Sequence, residues 1–314
     1  MQDRKVIVIV GVLDKRGSTN ISQAKSFMKF GFEVIPINYR TIIQQHGLQF
    51  FTQLLLSVVG SVKPYLTIFS KCNGIPTELV KECGKYGYTW LFNMDARPTI
   101  EKCPDVVQHA VNAHFSSCTA HELVEWFNKS GANCHYVVQG VDTEVFKPIE
   151  PNLKYRKDIS GPVISMIGSR TIERDEYFKV LSDGGYFPKF YGPGYSEPVF
   201  DKDFAEVCCS SDFMLSLNTF NGIHKGYFSN RLVRYLSCGV CTLHLDPFES
   251  LHEMFLPDKE ILFFKNAEEL VAKIVQTDEV ERAKIGMAGR ERILKEYTWD
   301  HITSKMLNII KVHK

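Results

Sequence analysis

The amino-acid sequence predicts an α/β protein made of two similar units, each a parallel sheet covered by helices. Three observations support this prediction. Short runs rich in β-branched and aromatic residues alternate with helical patterns, which is typical of βαβ units. The first run, residues 6–10, is apolar at every position, as expected for a strand buried on both faces. The alternation breaks once, at residues 139–162, and then resumes.

The first unit begins with the apolar run and continues strand by helix. Asn20 or Ser22 can cap the first helix, and Pro76 stands where helices often begin. The runs bounded by turn residues are taken as strands, and the longer patterns between them as helices. The predicted strands are 6–10, 33–38, 65–69, 89–92, 113–117 and 135–138, and the predicted helices are 20–30, 48–59, 76–86 and 121–129.

The second unit repeats this order after a polar segment that contains Pro151 and the pair Gly161-Pro162. Gly239 is expected to end one of its helices, as glycine commonly does. We therefore place one domain over residues 1–150, a second over 151–298 and a closing helix over 299–314. The predicted strands are 163–167, 187–191, 213–217 and 240–245, and the predicted helices are 175–181, 200–208, 230–237, 268–275, 280–296 and 301–312.

Length and composition exclude several classes of protein. The 314 residues fit two domains, and a chain with 44% hydrophobic and 23% charged residues can form packed cores. The formal charge of +1, from 37 basic and 36 acidic residues, lacks the basic excess of nucleic-acid binding proteins. Nine cysteines, an odd number, and no secretory pattern at the N-terminus predict reduced thiols and a cytoplasmic protein. No apolar stretch is long enough for a membrane span, which leaves peripheral membrane contact open.

The loop after the first strand, residues 11–20, contains a candidate acid, Asp14. Its glycines do not have the Gly-x-Gly-x-x-Gly spacing, and the second strand ends in Asn38-Tyr39-Arg40 without an acidic residue. A dinucleotide site in the first unit is therefore not predicted. Two interpretations stay open: a solvated connecting loop, or a loop that faces a ligand and uses Asp14 as a general base or substrate ligand.

Two segments of the second unit predict an anion site. Gly168 and Arg170 follow its first strand, where glycine allows close approach of a ligand and arginine can bind a phosphate with two donors. Ser229 is a good N-cap, and Arg231 lies in the first turn of the next predicted helix. An arginine there opposes the helix dipole unless an anion is bound. We predict a diphosphate between Arg170 and Arg231.

The alternative for this segment is that Arg231 and Arg234, three residues apart on one helix face, are simply exposed.

Cys238 and Cys241 are interpreted as small buried residues rather than a redox or zinc pair, because no second Cys-x-x-Cys is present. No His-Glu-x-x-His, phosphate-binding P-loop or Gly-x-Ser-x-Gly motif occurs. No metal site is predicted.

Several segments resemble a known family. Residues 139–148, Gln-Gly-Val-Asp-Thr-Glu-Val-Phe-Lys-Pro, resemble the interdomain signature N-G-V-D-x-x-x-F-x-P of glycosyl transferases group 1. The segments similar to the C-terminal domain of the spore-maturation CgeB-like branch are residues 215–218, 229–232, 238–239, 268–270, 285–292 and 296–299. The resemblance covers about residues 137–312. It implies a GT-B fold: two Rossmann-like parallel-sheet domains that face a central cleft, with the C-terminal helix crossing back to the first domain.

The same resemblance implies an enzyme, a hexosyl- or pentosyltransferase. Such an enzyme moves a sugar from a nucleotide diphosphate sugar, UDP- or GDP-linked, to the hydroxyl of a glycan or another acceptor. The first domain would be the acceptor domain and the second the donor domain, with no metal ion and no cofactor beyond the substrate. Two alternatives stay open: a nucleotide-sugar epimerase on the same scaffold, and a non-catalytic homologue that binds sugar nucleotides.

The resemblance also assigns roles to residues. The diphosphate would be held by residues 168–170 and by the helix start at residues 229–231. The loop at residues 191–194 would approach the base of the nucleotide, and Glu253 would face the sugar. Arg234 stands where the family usually has a glutamate for the ribose. If the reaction inverts the anomeric centre, a carboxylate must accept the proton of the acceptor. If it retains configuration, the leaving phosphate can take that proton. The predicted catalytic residues are Asp14 and, second, Asp95, and the predicted donor-binding residues are Gly168, Ser169, Arg170, Tyr191, Gly192, Asn218, Ser229, Asn230, Arg231 and Glu253.

Overall fold

The computed structural model describes residues 5–103, 105–156, 161–217 and 225–313. The chain divides into two compact units. Unit 1 holds Met1–Gln139, His224–Tyr227 and Trp299–Lys314, and unit 2 holds Gly140–Ile223 and Phe228–Thr298. Within the described ranges, neither a cis peptide bond nor a disulfide occurs.

Unit 1 alternates strands with helices from the start of the chain. Its first and third strands are buried along their whole length, because parallel sheets of this kind are covered on both faces. The elements are β1 (Val6–Gly11), α1 (Thr19–Lys29), β2 (Glu33–Asn38), α2 (Tyr39–Val62), β3 (Leu66–Ser70), α3 (Thr77–Cys83), β4 (Tyr88–Phe92), α4 (Arg97–Glu101), α5 (Asp105–Asn112), β5 (Phe115–Cys118), α6 (His121–Lys129) and β6 (Cys134–Tyr136).

Unit 2 follows after a short 3-10 helix, Leu153–Tyr155, and the chain closes with a helix that belongs to unit 1. The elements are β7 (Val163–Ile167), α7 (Ile172–Asp183), β8 (Phe187–Tyr191), α8 (Asp201–Cys209), β9 (Phe213–Ser216), α9 (Asn230–Ser237), β10 (Thr242–Leu245), β11 (Leu262–Phe264), α10 (Ala267–Gln276), α11 (Glu279–Glu296) and α12 (Trp299–Val312).

Both sheets are parallel throughout. The six-stranded sheet of unit 1 has the order β2-β1-β3-β4-β5-β6, and the five-stranded sheet of unit 2 has the order β11-β10-β9-β7-β8. In unit 1 the direction of winding reverses between β1 and β3, and in unit 2 it reverses between β7 and β9. Ligands of doubly wound sheets bind outside the carboxyl ends of the strands at such reversals. The topology therefore marks one edge of each unit as a candidate site.

Helix α12 is fixed to unit 1 by contacts at its first turn. The Ser26 hydroxyl of α1 donates a hydrogen bond to the Asp300 carboxylate at 2.7 Å. The Trp299 ring lies 6.0 Å, between ring centres, from Phe92 at the end of β4. Ile302, Met306 and Ile310, at helical spacing, complete its buried face.

The bounds predicted from sequence are confirmed for β2, α6, β7, β8 and α9. Helix α2 begins at Tyr39 rather than at residue 48, and its first part is joined to the rest through Gly47, whose φ is 84°. Helices α4 and α5 and strand β11 were not predicted. Strand β11 spans only three residues and α4 only five, too short for a clear hydrophobic period.

Candidate functional site

Beside the switch point of unit 2, which lies between β7 and β9, the loop after β7 meets the loop after β8. The Gly168 N–H donates to the Tyr191 carbonyl at 2.8 Å, and the Arg170 N–H donates to the Pro193 carbonyl at 2.8 Å. Gly192 has φ 120°, and a Cβ there would lie 2.7 Å from the Gly168 carbonyl oxygen. A side chain at residue 192 would therefore force the two loops apart.

The first turn of α9 places Arg231 directly on Gly168. A Cβ at residue 168 would lie 1.9 Å from Arg231 Nη1, so only glycine leaves room for the guanidinium. Arg231 Nη1 donates to the Ile167 carbonyl at 3.1 Å. The Tyr235 hydroxyl, one turn later, accepts from the Ile167 N–H at 2.8 Å and lies 3.2 Å from the same carbonyl. These bonds fix α9 to the end of β7.

A second arginine, Arg174 in the first turn of α7, borders the same glycine. Its Nη1 would lie 3.2 Å from a Cβ at residue 168, and it donates to the Ser169 carbonyl. Arg174 is only 8% exposed, and its buried Nε has no hydrogen-bond partner in the described part of the chain. Burial, together with the positive charge of Arg231, lowers the pKa of Arg174 to about 10, so the group stays charged at neutral pH.

The two arginines form a positively charged site at this edge of unit 2. Within the described ranges, neither Arg174 nor Arg231 forms an ion pair with a carboxylate. Helices α7 and α9 both begin at this edge of the sheet, and helix N-termini favour anions. Two adjacent guanidinium groups, one of them buried, repel each other unless an anion lies between them. The site is therefore suited to a phosphate or diphosphate.

Two other arginines of unit 2 are engaged differently. Arg170 Nε pairs with the Asp175 carboxylate at 2.8 Å, which neutralises its charge. The Arg234 guanidinium lies 4.6 Å from the centre of the Phe146 ring and 5.8 Å from that of Phe204. The alternative in which Arg231 and Arg234 are two exposed arginines is therefore wrong. Arg234, which by the resemblance stands in place of a glutamate, thus packs against two aromatic rings.

The ends of β9 and β10 add a buried histidine beside Arg231. His244 Nδ1 lies 2.9 Å from the Ser216 hydroxyl oxygen. Burial lowers the pKa of His244 to about 4, Asp246 acts in the opposite direction, and the charge of Arg231 adds to the lowering. The imidazole is therefore neutral at physiological pH and adds no further positive charge.

A buried carboxylate folds the segment after β10. Asp246 accepts hydrogen bonds from the Ser250 N–H at 2.9 Å, the Ser250 hydroxyl at 2.7 Å and the Leu251 N–H at 2.9 Å. Glu253 is exposed just beyond this turn. The Asp246 carboxylate is thus a structural acceptor that positions the segment carrying Glu253.

The two predicted catalytic acids lie at the carboxyl edge of unit 1. Asp14 is exposed in the loop after β1, and its carboxylate accepts a hydrogen bond from the Thr41 hydroxyl. Asp95, after β4, pairs with Lys71 Nζ at 2.6 Å. Lys71 itself follows β3 and has a left-handed backbone, with φ 64°. Asp14 therefore presents an accessible carboxylate, whereas that of Asp95 is already paired with a cation.

The remaining predicted residues are placed as follows. Ser229 precedes α9, but its side chain makes no capping hydrogen bond and instead lies 3.4 Å from Arg231 Nε. The expectation that its side chain caps the helix is therefore wrong. Asn230 is the first residue of α9 and is half-buried. The Tyr191 ring packs edge-on to Tyr155 at 5.8 Å. Asn218 lies outside the described residues.

The nine cysteines are free thiols, and Cys238 and Cys241 are buried. Within the described ranges, no group of three or more histidine, cysteine, aspartate or glutamate side chains is arranged to hold a metal ion. None of the described helices combines the length and the apolar character that a transmembrane span requires.

The chain was compared with protein-family models, with curated protein sequences and with solved structures. Residues 169–308 match a family model described as glycosyl transferase-like, and no curated protein sequence matches the chain. A glycosyltransferase from Rickettsia africae is similar in structure, with a TM-score of 0.70 and 14% identity over 99% of this chain and 98% of that chain.

Two further structures are similar over nearly the whole chain. HepE from Anabaena, in complex with UDP-glucose, has a TM-score of 0.68 and 12% identity over 98% of this chain and 99% of that chain. Sucrose-phosphate synthase from Thermosynechococcus elongatus has a TM-score of 0.64 and 12% identity over 98% of each chain. The matched family segment contains Arg174 and Arg231, and the predicted GT-B fold is confirmed.

Proposed function

We propose that this chain, a glycosyltransferase of the GT-B fold, takes its sugar from a nucleoside diphosphate sugar, UDP- or GDP-linked, and transfers it to an acceptor hydroxyl. The observation that carries the proposal is the pair of arginines, Arg174 and Arg231, around Gly168. Arg174 stays charged at neutral pH, and neither arginine has a carboxylate partner in the described part of the chain. UDP-glucose is the compound bound in the HepE structure, which supports this donor class.

The chemistry of sugar transfer suits this arrangement. As the bond between the anomeric carbon and the diphosphate breaks, negative charge builds up on the leaving phosphate. Arg174 and Arg231 are held in place before the reaction by bonds to the Ser169 and Ile167 carbonyls. Fixed donors aimed at developing charge lower the barrier because they need no reorganisation. We propose that these arginines serve the role that a divalent metal ion has in other transferases.

The other donor contacts follow from the same edge of unit 2. In the proposed complex the diphosphate approaches the backbone at Gly168 and Ser169, with Arg170 at the rim. Gly192 and Tyr191, held to that loop by the backbone bond to Gly168, would lie toward the base. We further propose donor contacts for Ser229 and Asn230 at the start of α9, and a sugar contact for Glu253. Asn218, outside the described residues, remains a proposed donor contact.

Asp14 is the proposed general base if the enzyme inverts the anomeric centre. Its carboxylate is exposed and accepts one hydrogen bond, from Thr41, which orients it and leaves capacity to accept a proton. Asp95 is the second candidate, because Lys71 already neutralises it. Product stereochemistry decides whether a base is needed at all.

The direct test combines binding and product analysis. Thermal unfolding is measured with UDP, GDP and inorganic phosphate, and a nucleoside diphosphate at 100 times its Kd is expected to stabilise the fold by about 2.7 kcal/mol. The protein is then incubated with labelled UDP- and GDP-sugars and a set of sugar, glycan and lipid acceptors. Label that appears on an acceptor supports the proposal. An epimerised nucleotide sugar as the product, or no stabilisation by any nucleoside diphosphate, contradicts it.

A further inference from the structure

A cavity lies in unit 1, between helix α12 and the edge strand β6. Its volume is about 580 Å³, within the range of small-molecule sites. One face of α12 from His301 to Val312, together with His313 just after the helix, forms one wall, and His135 of β6 forms the other. Among the strands of the described residues, β6 pairs with β5 alone and forms an edge of the sheet.

The α12 wall is apolar along one line. Ile309 and Val312 line the cavity at helical spacing from Lys305, whose aliphatic stem extends the same surface. Val312 is 83% exposed, although it is a large hydrophobic residue. An apolar chain laid along this line would cover it and remove that surface from water.

Two of the side chains that line this cavity, His135 and Lys305, carry nitrogen atoms that can bond an anion. Lys305 Nζ lies 5.4 Å from the centre of the Tyr136 ring, and burial lowers the pKa of this lysine. The His135 Nε2 atom is buried and has no hydrogen-bond partner in the described part of the chain. Burial, and the positive charges of His313 and Lys305, lower the pKa of His135.

The side chains that line this cavity within the described ranges include no aspartate or glutamate. Lys305 therefore lines the cavity without a counter-charge from any other lining side chain. In the tautomer that carries its proton on Nε2, His135 is a buried donor without an acceptor, which is costly. An anionic oxygen in the cavity would accept from both His135 and Lys305. Because only one lysine contributes, a singly charged carboxylate matches the charge better than a doubly charged phosphate.

We propose that this cavity binds an apolar carboxylate of the fatty-acid class, with its head group at Lys305 and His135 and its alkyl chain along Ile309 and Val312. The inference does not depend on the proposed sugar transfer, because every residue that carries it belongs to unit 1 and lies outside the Arg174–Arg231 site.

The test is calorimetric titration of the full chain with sodium octanoate, octan-1-ol and octyltrimethylammonium, each below its micellar concentration. Octanoate is expected to bind one to one and at least tenfold more tightly than either comparison compound. The Lys305→Met variant keeps the aliphatic stem and removes the charge, and is expected to weaken octanoate binding at least tenfold. Lys311→Met, on the same helix but outside the cavity lining, is the matched control and is expected to bind as the wild type does.

A second variant separates the site from a folding defect. Val312→Glu changes an exposed residue and is expected to abolish octanoate binding by repulsion, whereas Val280→Glu, at a residue 77% exposed in unit 2, leaves it unchanged. No octanoate binding to the wild type, equal binding of octanoate and octanol, or unchanged binding by both Lys305→Met and Val312→Glu would each overturn the proposal.

Discussion

Replacing Gly168 by alanine tests whether the anion site of unit 2 depends on the position of Arg231. The new Cβ would start 1.9 Å from Arg231 Nη1, whereas ordinary contact begins near 3.4 Å. The guanidinium must therefore move by about 1.5 Å, which breaks its bond of 3.1 Å to the Ile167 carbonyl. Because the displaced atom is the end of a flexible side chain, we expect the fold itself to lose less than about 1 kcal/mol.

The expected effect on binding is much larger. A hydrogen bond to a charged group contributes about 1.5–3 kcal/mol, so displacing Arg231 should weaken nucleoside diphosphate binding about tenfold to a hundredfold. At a UDP concentration 100 times the wild-type Kd, a 30-fold weaker variant would gain only about 0.9 kcal/mol, compared with about 2.7 kcal/mol for the wild type. The assay is the shift in thermal unfolding with UDP or GDP, confirmed by calorimetric titration.

A matched glycine controls for the substitution itself. Gly60 lies in helix α2 of unit 1, and a Cβ there would approach nothing closer than 3.5 Å. Gly60→Ala is therefore expected to leave nucleotide binding unchanged and to stabilise the fold slightly. If Gly168→Ala binds the nucleoside diphosphate as tightly as Gly60→Ala does, Arg231 does not contact the ligand and the reasoning fails.

Three further predictions address other groups. Arg174→Met is expected to weaken nucleoside diphosphate binding at least tenfold by calorimetry, whereas Lys179→Met on the same helix should not, and equal affinities of the two variants would remove Arg174 from the site. Asp14→Asn is expected to lower kcat at least a hundredfold with an unchanged donor Kd if the product is inverted, and an inverting variant with full kcat would exclude Asp14 as the base. His244 has a pKa of about 4 when folded and an ordinary one when unfolded, so the unfolded state binds more protons between these values. Its contribution to stability, about 3 kcal/mol, is present above pH 6.5 and is lost as the pH falls toward 4. Urea unfolding should show that the free energy of unfolding decreases less between pH 7 and pH 4.5 for His244→Gln than for the wild type. Identical decreases in the two proteins would contradict this assignment.

Much of the fold follows from local sequence patterns. The strands are apolar runs bounded by turn residues, and the amphipathic helix α9 has the predicted bounds because its buried positions repeat at helical spacing. Gly168 and Arg231 were predicted from the same kind of local argument. The contact between Arg231 and Gly168 depends on how α9 packs on β7. A local sequence pattern does not predict such packing.

Arg174 is the residue that sequence reasoning missed, although a signal was present. It stands in the first turn of α7, after a Thr171 side chain that caps the helix, where an arginine opposes the helix dipole just as Arg231 does in α9. Its burial could not be foreseen, because it follows from the approach of α7 to the end of β7. Arg170 was favoured instead, and its pairing with Asp175 is a contact between side chains five residues apart that the sequence pattern did not reveal.

The turn built on Asp246 affects how mutational data on this protein should be interpreted. Its carboxylate accepts hydrogen bonds from the backbone of Ser250 and Leu251 and from the Ser250 hydroxyl, so few of its lone pairs are left for a substrate hydroxyl. Alanine scanning would nevertheless single it out, because releasing those N–H groups would unfold the stretch that presents Glu253. A strong loss of turnover in an Asp246 variant would then reflect the unfolding of this turn. Only a structural measurement on the same variant would prevent Asp246 from being assigned as the proton acceptor.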